Sequence, residues 1–113
     1  MTDSCVFCKI VRGEFGTEFV AKSERAVAFN DISPMAPVHV LVVPKEHISA
    51  LQELDDRELA GELLALAKTV AEKTGVAETG YRVVTNNGEQ AGQTVFHLHL
   101  HVLGGRKLSS GLA

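Results

Sequence analysis

Near its C-terminus the chain reads His97-Leu98-His99-Leu100-His101-Val102-Leu103, with three of its five histidines at every second position. Strict alternation is the period of an extended strand, whose successive side chains point to opposite faces. All three imidazoles are therefore expected on one face, with Phe96, Leu98, Leu100 and Val102 on the other. A strand of this kind carries a core face and a chemical face. Imidazole has an unperturbed pKa close to neutrality, so it serves as nucleophile, base, acid or metal ligand.

The same geometry limits what the histidines can share. At a rise of about 3.3 Å per residue, positions i and i+4 of a strand lie about 13 Å apart. One metal ion cannot take both His97 and His101, although it could take two adjacent members. Three histidines in this register therefore imply a division of labour. The alternative is an exposed strand whose polar face happens to be imidazole.

With 113 residues and 45% apolar content, the chain is expected to form one folded domain spanning residues 1–113 around a single core. Its apolar runs, such as Val40 to Val43, are too short to cross a membrane. The start, Met1-Thr2-Asp3-Ser4, has no basic region followed by an apolar stretch, so a cytoplasmic location is expected. The net charge of −3 and the lack of any Lys/Arg-rich run argue against nucleic acid as a partner. An anionic small ligand stays possible, because a local nest of amides can bind one on an acidic protein.

Hydrophobic patterning predicts strands over Thr17 to Lys22, Ala26 to Asn30, Val38 to Val43, Tyr81 to Thr85 and Thr94 to Leu103. Ser23-Glu24-Arg25 forms a turn, and Ser33 to Pro37 a proline loop. Leu59, Leu63, Leu66 and Val70 make one apolar stripe on a helix from Asp55 to Lys73. Asp55 with Glu58 fits a capping box for it, and Gly75 its C-terminal cap. Cys5 to Val11 reads as a short helical or knuckle-like segment ended by Gly13, and Ser49 to Leu54 as a short helix. Consecutive strands with few crossovers predict an α+β fold, an antiparallel five-stranded sheet with the long helix on one face.

Upstream of the histidines, Asn86 to Thr94 is a turn rich in amides, small residues and a hydroxyl. Gly92 would permit close backbone approach to a ligand. Gln93, Thr94 and backbone N–H groups are candidates to hold phosphate oxygens and stabilise charge developing around phosphorus. Cys5-x-x-Cys8 offers two thiolates, half of a tetrahedral metal site. Two buried reduced thiols are the alternative.

The span from Gly92 to Leu103 resembles the signature of the histidine triad (HIT) nucleotide-binding proteins. Asp31-Ile32-Ser33-Pro34, His39, Val43-Pro44-Lys45-Glu46-His47-Ile48 and Cys5-Val6-Phe7-Cys8-Lys9-Ile10 match that family in order and spacing. Gly104-Gly105-Arg106 after the triad resembles the Hint branch, which are small phosphoramidases. The resemblance implies a purine nucleotide ligand and a covalent nucleotidyl-histidine. His99 would be the nucleophile, with His101 at the phosphate or leaving group and His39 as a buttress. Asn86, Gly92, Gln93 and Thr94 would bind phosphate, while Asp31 and Ile32 would sit at the ribose and base. Thr94 stands where many relatives have Ser. Zinc-bearing bacterial members are similar at Cys5, Cys8, His47 and His97, which implies a structural Zn2+ with four protein ligands. A homodimer with a continuous sheet is implied as well. The branch that hydrolyses dinucleoside polyphosphates generally lacks the cysteine pair. A nucleotide-binding interaction protein with incidental hydrolysis is the reading from another class.

Overall fold

The computed structural model describes residues 4–110. Strands β1 (Ala21–Lys22), β2 (Ala26–Asn30), β3 (Val38–Pro44), β4 (Tyr81–Val84) and β5 (Leu100–Gly104) form one sheet in the order β1-β2-β3-β5-β4. Every pairing in it is antiparallel. Three helices accompany it, α1 (Val6–Val11), α2 (Arg57–Thr74) and α3 (Val76–Thr79). The α+β architecture expected from the patterning is thus present.

Alternation sorts the side chains of the sheet. Ala26, Ala28, Val40, Val42, Leu100 and Val102 point to one face, where Leu59, Leu63, Leu66, Ala67 and Val70 of α2 cover them. Val27, Phe29, Leu41 and Val43 point to the other, where Phe7 of α1 joins them. Helix α1 has only six residues, and beside it this second face borders a cavity. His39 and His101 lie on the face that α1 leaves open, since each is in phase with the second set on its own strand.

The cap of α2 is Asp56 rather than Asp55: its Oδ1 accepts from the Leu59 N–H at 3.0 Å. Asp56 is also the residue that pairs with Arg25 at 2.9 Å, which ties the helix start to the β1–β2 turn. Glu62, six residues further on, accepts from both the Ser23 hydroxyl and the Arg25 N–H. The helix ends as expected at Gly75, whose φ of 85° suits a residue without a Cβ.

Two predicted strands are shorter than their patterns. Extending the β1–β2 register would put residues 17–19 opposite 30–32, where the chain turns into the proline loop. The histidine strand begins at Leu100 rather than Thr94. Continuing its register with β3 places Pro44 opposite Leu98, and proline has no N–H to offer the ladder. The Leu98 N–H bonds instead to the Ile48 carbonyl at 2.6 Å. The chain through 97–99 stays extended enough for Leu98 to join the core beneath α2. Phe96 does not: it is 50% exposed. The segment 49–54 supplies only a 3-10 turn at Leu51–Glu53. Among the described residues no helix is long and apolar enough to cross a membrane.

Candidate functional site

Each triad histidine has one ring nitrogen tied to the backbone or to a neighbouring ring, and these ties assign the tautomers. The Nδ1–H of His99 donates to the His97 carbonyl at 2.7 Å, which leaves the Nε2 lone pair of His99 free. The Nε2–H of His97 donates to the Pro44 carbonyl at 2.9 Å, which leaves its Nδ1 lone pair free. At His39, Nδ1 accepts from the Met35 N–H at 3.0 Å, so its proton sits on Nε2. That Nε2–H donates to His101 Nδ1 at 2.9 Å, so His101 carries its own proton on Nε2. The array offers one lone pair at His99 and one N–H at His101, on rings whose centroids are 5.1 Å apart.

Burial pushes His101 down to about 4, helped by His99 and His39 and opposed by Asp31. At neutral pH it is therefore an uncharged donor. Burial also lowers His97, against the pull of the Pro44 carbonyl. Phe7 packs edge-on to the His99 ring at 5.0 Å and to the His97 ring at 5.9 Å, which fixes both planes.

Two groups of potential metal ligands occur among the described residues. In the first, the donor atoms of Cys5, Cys8, His47 and His97 lie within 4.8 Å of one another. Cys5 Sγ is 3.4 Å from His97 Nδ1, and Cys8 Sγ is 3.3 Å from His47 Nδ1 and 3.5 Å from His97 Nδ1. Tetrahedral binding by thiolates at about 2.3 Å and imidazoles at about 2.0 Å sets S···N edges of about 3.5 Å. The group therefore fits a metal with two sulfur and two nitrogen ligands. The bond from His97 to Pro44 supplies the outer contact that orients a ligand imidazole. Without a cation, burial and then Cys5 hold the Cys8 thiol up at about 11. A bound cation reverses that balance because it binds the thiolate. Four protein ligands leave no position for substrate.

The second group, Asp31, His39 and His101, has equally short spacings and a different chemistry. Met35 occupies the Nδ1 lone pair of His39, so a proton must stand between His39 and His101. Metal binding at Nε2 would leave His39 with no proton at all. This cluster is a hydrogen-bonded relay. Asp31 Oδ2 lies 3.4 Å from His39 Nε2 and so also favours a proton there.

The open lone pair of His99 and the N–H of His101 border a cavity of about 320 Å³. Of the residues expected at a nucleotide, the structure brings Asp31, Ile32, Thr94, His99 and His101 to its wall. Asp31 is held in place by accepting the Ser33 N–H at 2.7 Å. Ile32 stands 98% exposed at the rim. His39 acts from behind, through His101. Asn86, Gly92 and Gln93 do not line the cavity. The buried Gln93 amide accepts from the Gly88 N–H and donates to the Ser49 and Val95 carbonyls, so it builds the loop. The N–H groups of Gly92 and Gln93 are likewise spent on the Glu89 and Gly88 carbonyls. With these groups spent, Thr94 is the residue this loop brings to the cavity wall.

Sequence reasoning missed the apolar wall, which includes Phe7 and Ile10 of α1 together with Phe29 and Leu41. The signal was present: Phe7 and Ile10 are three apart, interleaved with the cysteines, so one short helix shows one side to the metal ligands and another to the cavity. No lysine or arginine lines the cavity.

Comparison with known proteins matches residues 12–108 to the HIT domain. An uncharacterized HIT-like protein of Synechocystis is 45% identical, the match covering 96% of both chains. The purine nucleoside phosphoramidase of Escherichia coli is 37% identical across 100% of this chain and 97% of its own. A HIT family hydrolase from Clostridium thermocellum superposes with a TM-score of 0.94 at 45% identity, over 98% of each chain. A histidine triad protein from Clostridium difficile gives 0.90 at 40% identity, over 96% of each. The domain match over residues 12–108 and these relatives, alike over nearly the whole chain, show that this chain belongs to the HIT family.

Proposed function

We propose that the protein is a purine nucleoside phosphoramidase that cleaves the P–N bond of substrates such as AMP-NH2 or AMP-lysine. The observation that carries this reading is the complementary pair of nitrogens, a bare Nε2 on His99 beside an N–H on His101, at the mouth of an apolar cavity. His99 Nε2 attacks the α-phosphorus, forming a P–N bond to imidazole. The substrate P–N bond breaks, its electron pair leaves with the amine, and the amine takes a proton from solvent. The resulting imidazolium keeps its Nδ1–H on the His97 carbonyl, which offsets its charge. Water then attacks phosphorus and loses a proton to solvent, and His99 recovers its lone pair as AMP departs. His101 and Thr94 donate to the phosphate oxygens, Asp31 accepts from the ribose hydroxyls, and the purine lies against Phe7, Ile10 and Phe29. Gly92 and Gln93 shape the loop that presents Thr94, and Asn86 at its start is a further donor to the phosphate.

The charge of the cavity favours this substrate over dinucleoside polyphosphates. A nucleoside phosphoramidate brings one negative charge to the α-phosphorus, which neutral donors can meet. A polyphosphate brings several, and the wall holds no cationic side chain to receive them. Zn2+ at Cys5, Cys8, His47 and His97 would be structural, tying α1 to the histidine segment. The chain works as one HIT domain in the cytoplasm. It pairs as a homodimer through the free edge of β4, where Tyr81 and Val83 stand exposed. Sedimentation at the mass of one chain would refute the pairing.

The decisive experiment is incubation with adenosine 5′-phosphoramidate. AMP release is expected, with adenylyl-His99 trapped on rapid acid quench, and both are lost in His99→Ala. Wild-type activity in His99→Ala refutes the nucleophile. Hydrolysis of diadenosine polyphosphates in preference to the phosphoramidate refutes the substrate class.

A further inference from the structure

The Gly104-Gly105-Arg106 turn that follows the triad has no part in the chemistry described so far. Its packing is tight. A Cβ on Gly104 would come within 2.9 Å of the Val76 side chain, and one on Gly105 within 2.9 Å of Pro37. Gly105 also has a φ of 94°, a conformation that side chains disfavour. Both glycines therefore let the turn press against α3 and the proline loop. Arg106 emerges from the turn beside that loop. Its Nη2 donates to the Met35 carbonyl at 2.9 Å, and its Nη1 to the Lys107 carbonyl at 2.9 Å.

Met35 is the residue whose N–H determines the tautomer of His39. Pro34 and Pro37 bring no N–H to the loop, and Met35 is 74% exposed. Its backbone is gripped on one side by His39 and on the other by Arg106. We propose that Arg106 is a positioning residue that keeps the His101 N–H aimed at the reacting phosphate, acting through Met35 and His39. Its catalytic consequence rests on the reading of His101 as a phosphate donor. Its tautomeric consequence does not.

Loss of the Arg106 bond frees Met35 to swing away from His39. The proton of His39 can then reside on Nδ1, leaving Nε2 bare. His101 must turn its own proton to Nδ1 to bond that lone pair, and its Nε2 then faces the phosphate as an acceptor. A donor to an anion has become a repulsive group without any change in net charge. Asp31 opposes the change, since its carboxylate near His39 Nε2 favours a proton there. The result is a mixture of tautomers and a graded loss of rate.

The test compares Arg106→Met, which keeps the apolar stem, with Arg106→Lys, which keeps a donor for the Met35 carbonyl. Histidine side-chain 15N shifts in the free protein report the tautomers, and steady-state kinetics report the effect on adenosine 5′-phosphoramidate. In Arg106→Met, His39 and His101 should show mixed tautomers, with kcat lowered about three- to tenfold, the range of one lost hydrogen bond, and KM changed less. Arg106→Lys should restore the shifts and most of kcat. Wild-type 15N shifts in Arg106→Met overturn the proposal, as does an Arg106→Lys protein impaired as badly as Arg106→Met. If the wild-type protein does not cleave the phosphoramidate, the proposed function fails, and the 15N comparison still decides the role of Arg106.

Discussion

Removing a metal held, as proposed, by Cys5, Cys8, His47 and His97 is expected to weaken nucleotide binding, although none of these residues forms part of the cavity's apolar wall. Helix α1 joins the two sites. Cys5 caps the helix, Cys8 lies within it, and Val6, Phe7 and Ile10 line the cavity. Six residues are too few for a helix to hold its place by its own hydrogen bonds. Its position depends on the thiolate anchor and on Phe7, which is buried among Val27, Phe29, Leu41 and Val43. Without the metal, Phe7 still holds the middle of the helix, but Val6 and Ile10 lose their fixed positions. A purine face against this wall buries on the order of 80 Å² of apolar surface, about 2 kcal/mol at ~25 cal/mol per Å². Complete loss of the wall would weaken binding about thirtyfold, and its loosening around Phe7 about tenfold. Calorimetric titration of AMP into metal-loaded and chelator-stripped protein measures the ratio, with circular dichroism confirming that the stripped protein stays folded. Coupling is reciprocal, so AMP should raise the metal affinity by the same factor, read as less metal transferred at equilibrium to a chromophoric chelator. Equal AMP affinities in folded loaded and stripped protein would refute the argument.

The buried histidine should also shape stability against pH. His101 titrates at about 4 in the fold, below its usual value near 6.5, so the unfolded chain binds the proton more readily. Stability is therefore full above about pH 6.5 and declines as pH falls towards 4. His101→Asn should flatten that decline in urea unfolding at stepped pH, and an unchanged slope would contradict it. Gly105→Ala forces a Cβ into Pro37 at a positive φ, and should cost about 1–3 kcal/mol in thermal or urea unfolding. A variant as stable as the wild type would show that the turn can give way there.

Much of the candidate site was legible because its information is periodic or local. The alternation from His97 to Val102 placed the imidazoles opposite Leu98 and Leu100, and those leucines do lie beneath α2. The separation of His97 from His101 also pointed to separate duties, and the structure puts His97 with the cysteines and His101 with His39. The extent of the histidine strand was not legible from its own residues. It is cut short by Pro44, which stands opposite Leu98 only once β3 and β5 pair. Gln93 looked like a phosphate donor because its amide is polar and follows a glycine. Bonds to Gly88, Val95 and the distant Ser49 give that amide another task, tying the loop to the segment after β3.

The sequence by itself determined which residue types stand on which face, and with them the α+β sheet, the covering helix and a chemical face lined with histidine. Side-chain alternation needs only the local backbone period. Only the tertiary structure decided what each imidazole can do. A ring nitrogen is donor or acceptor according to its partner, and here the partners are distant in the chain. His97 is assigned by Pro44, and His101 by His39 through Met35, with Arg106 behind it. Protonation at each ring is thus a property of the packed fold, which the spacing of histidines along the chain does not contain.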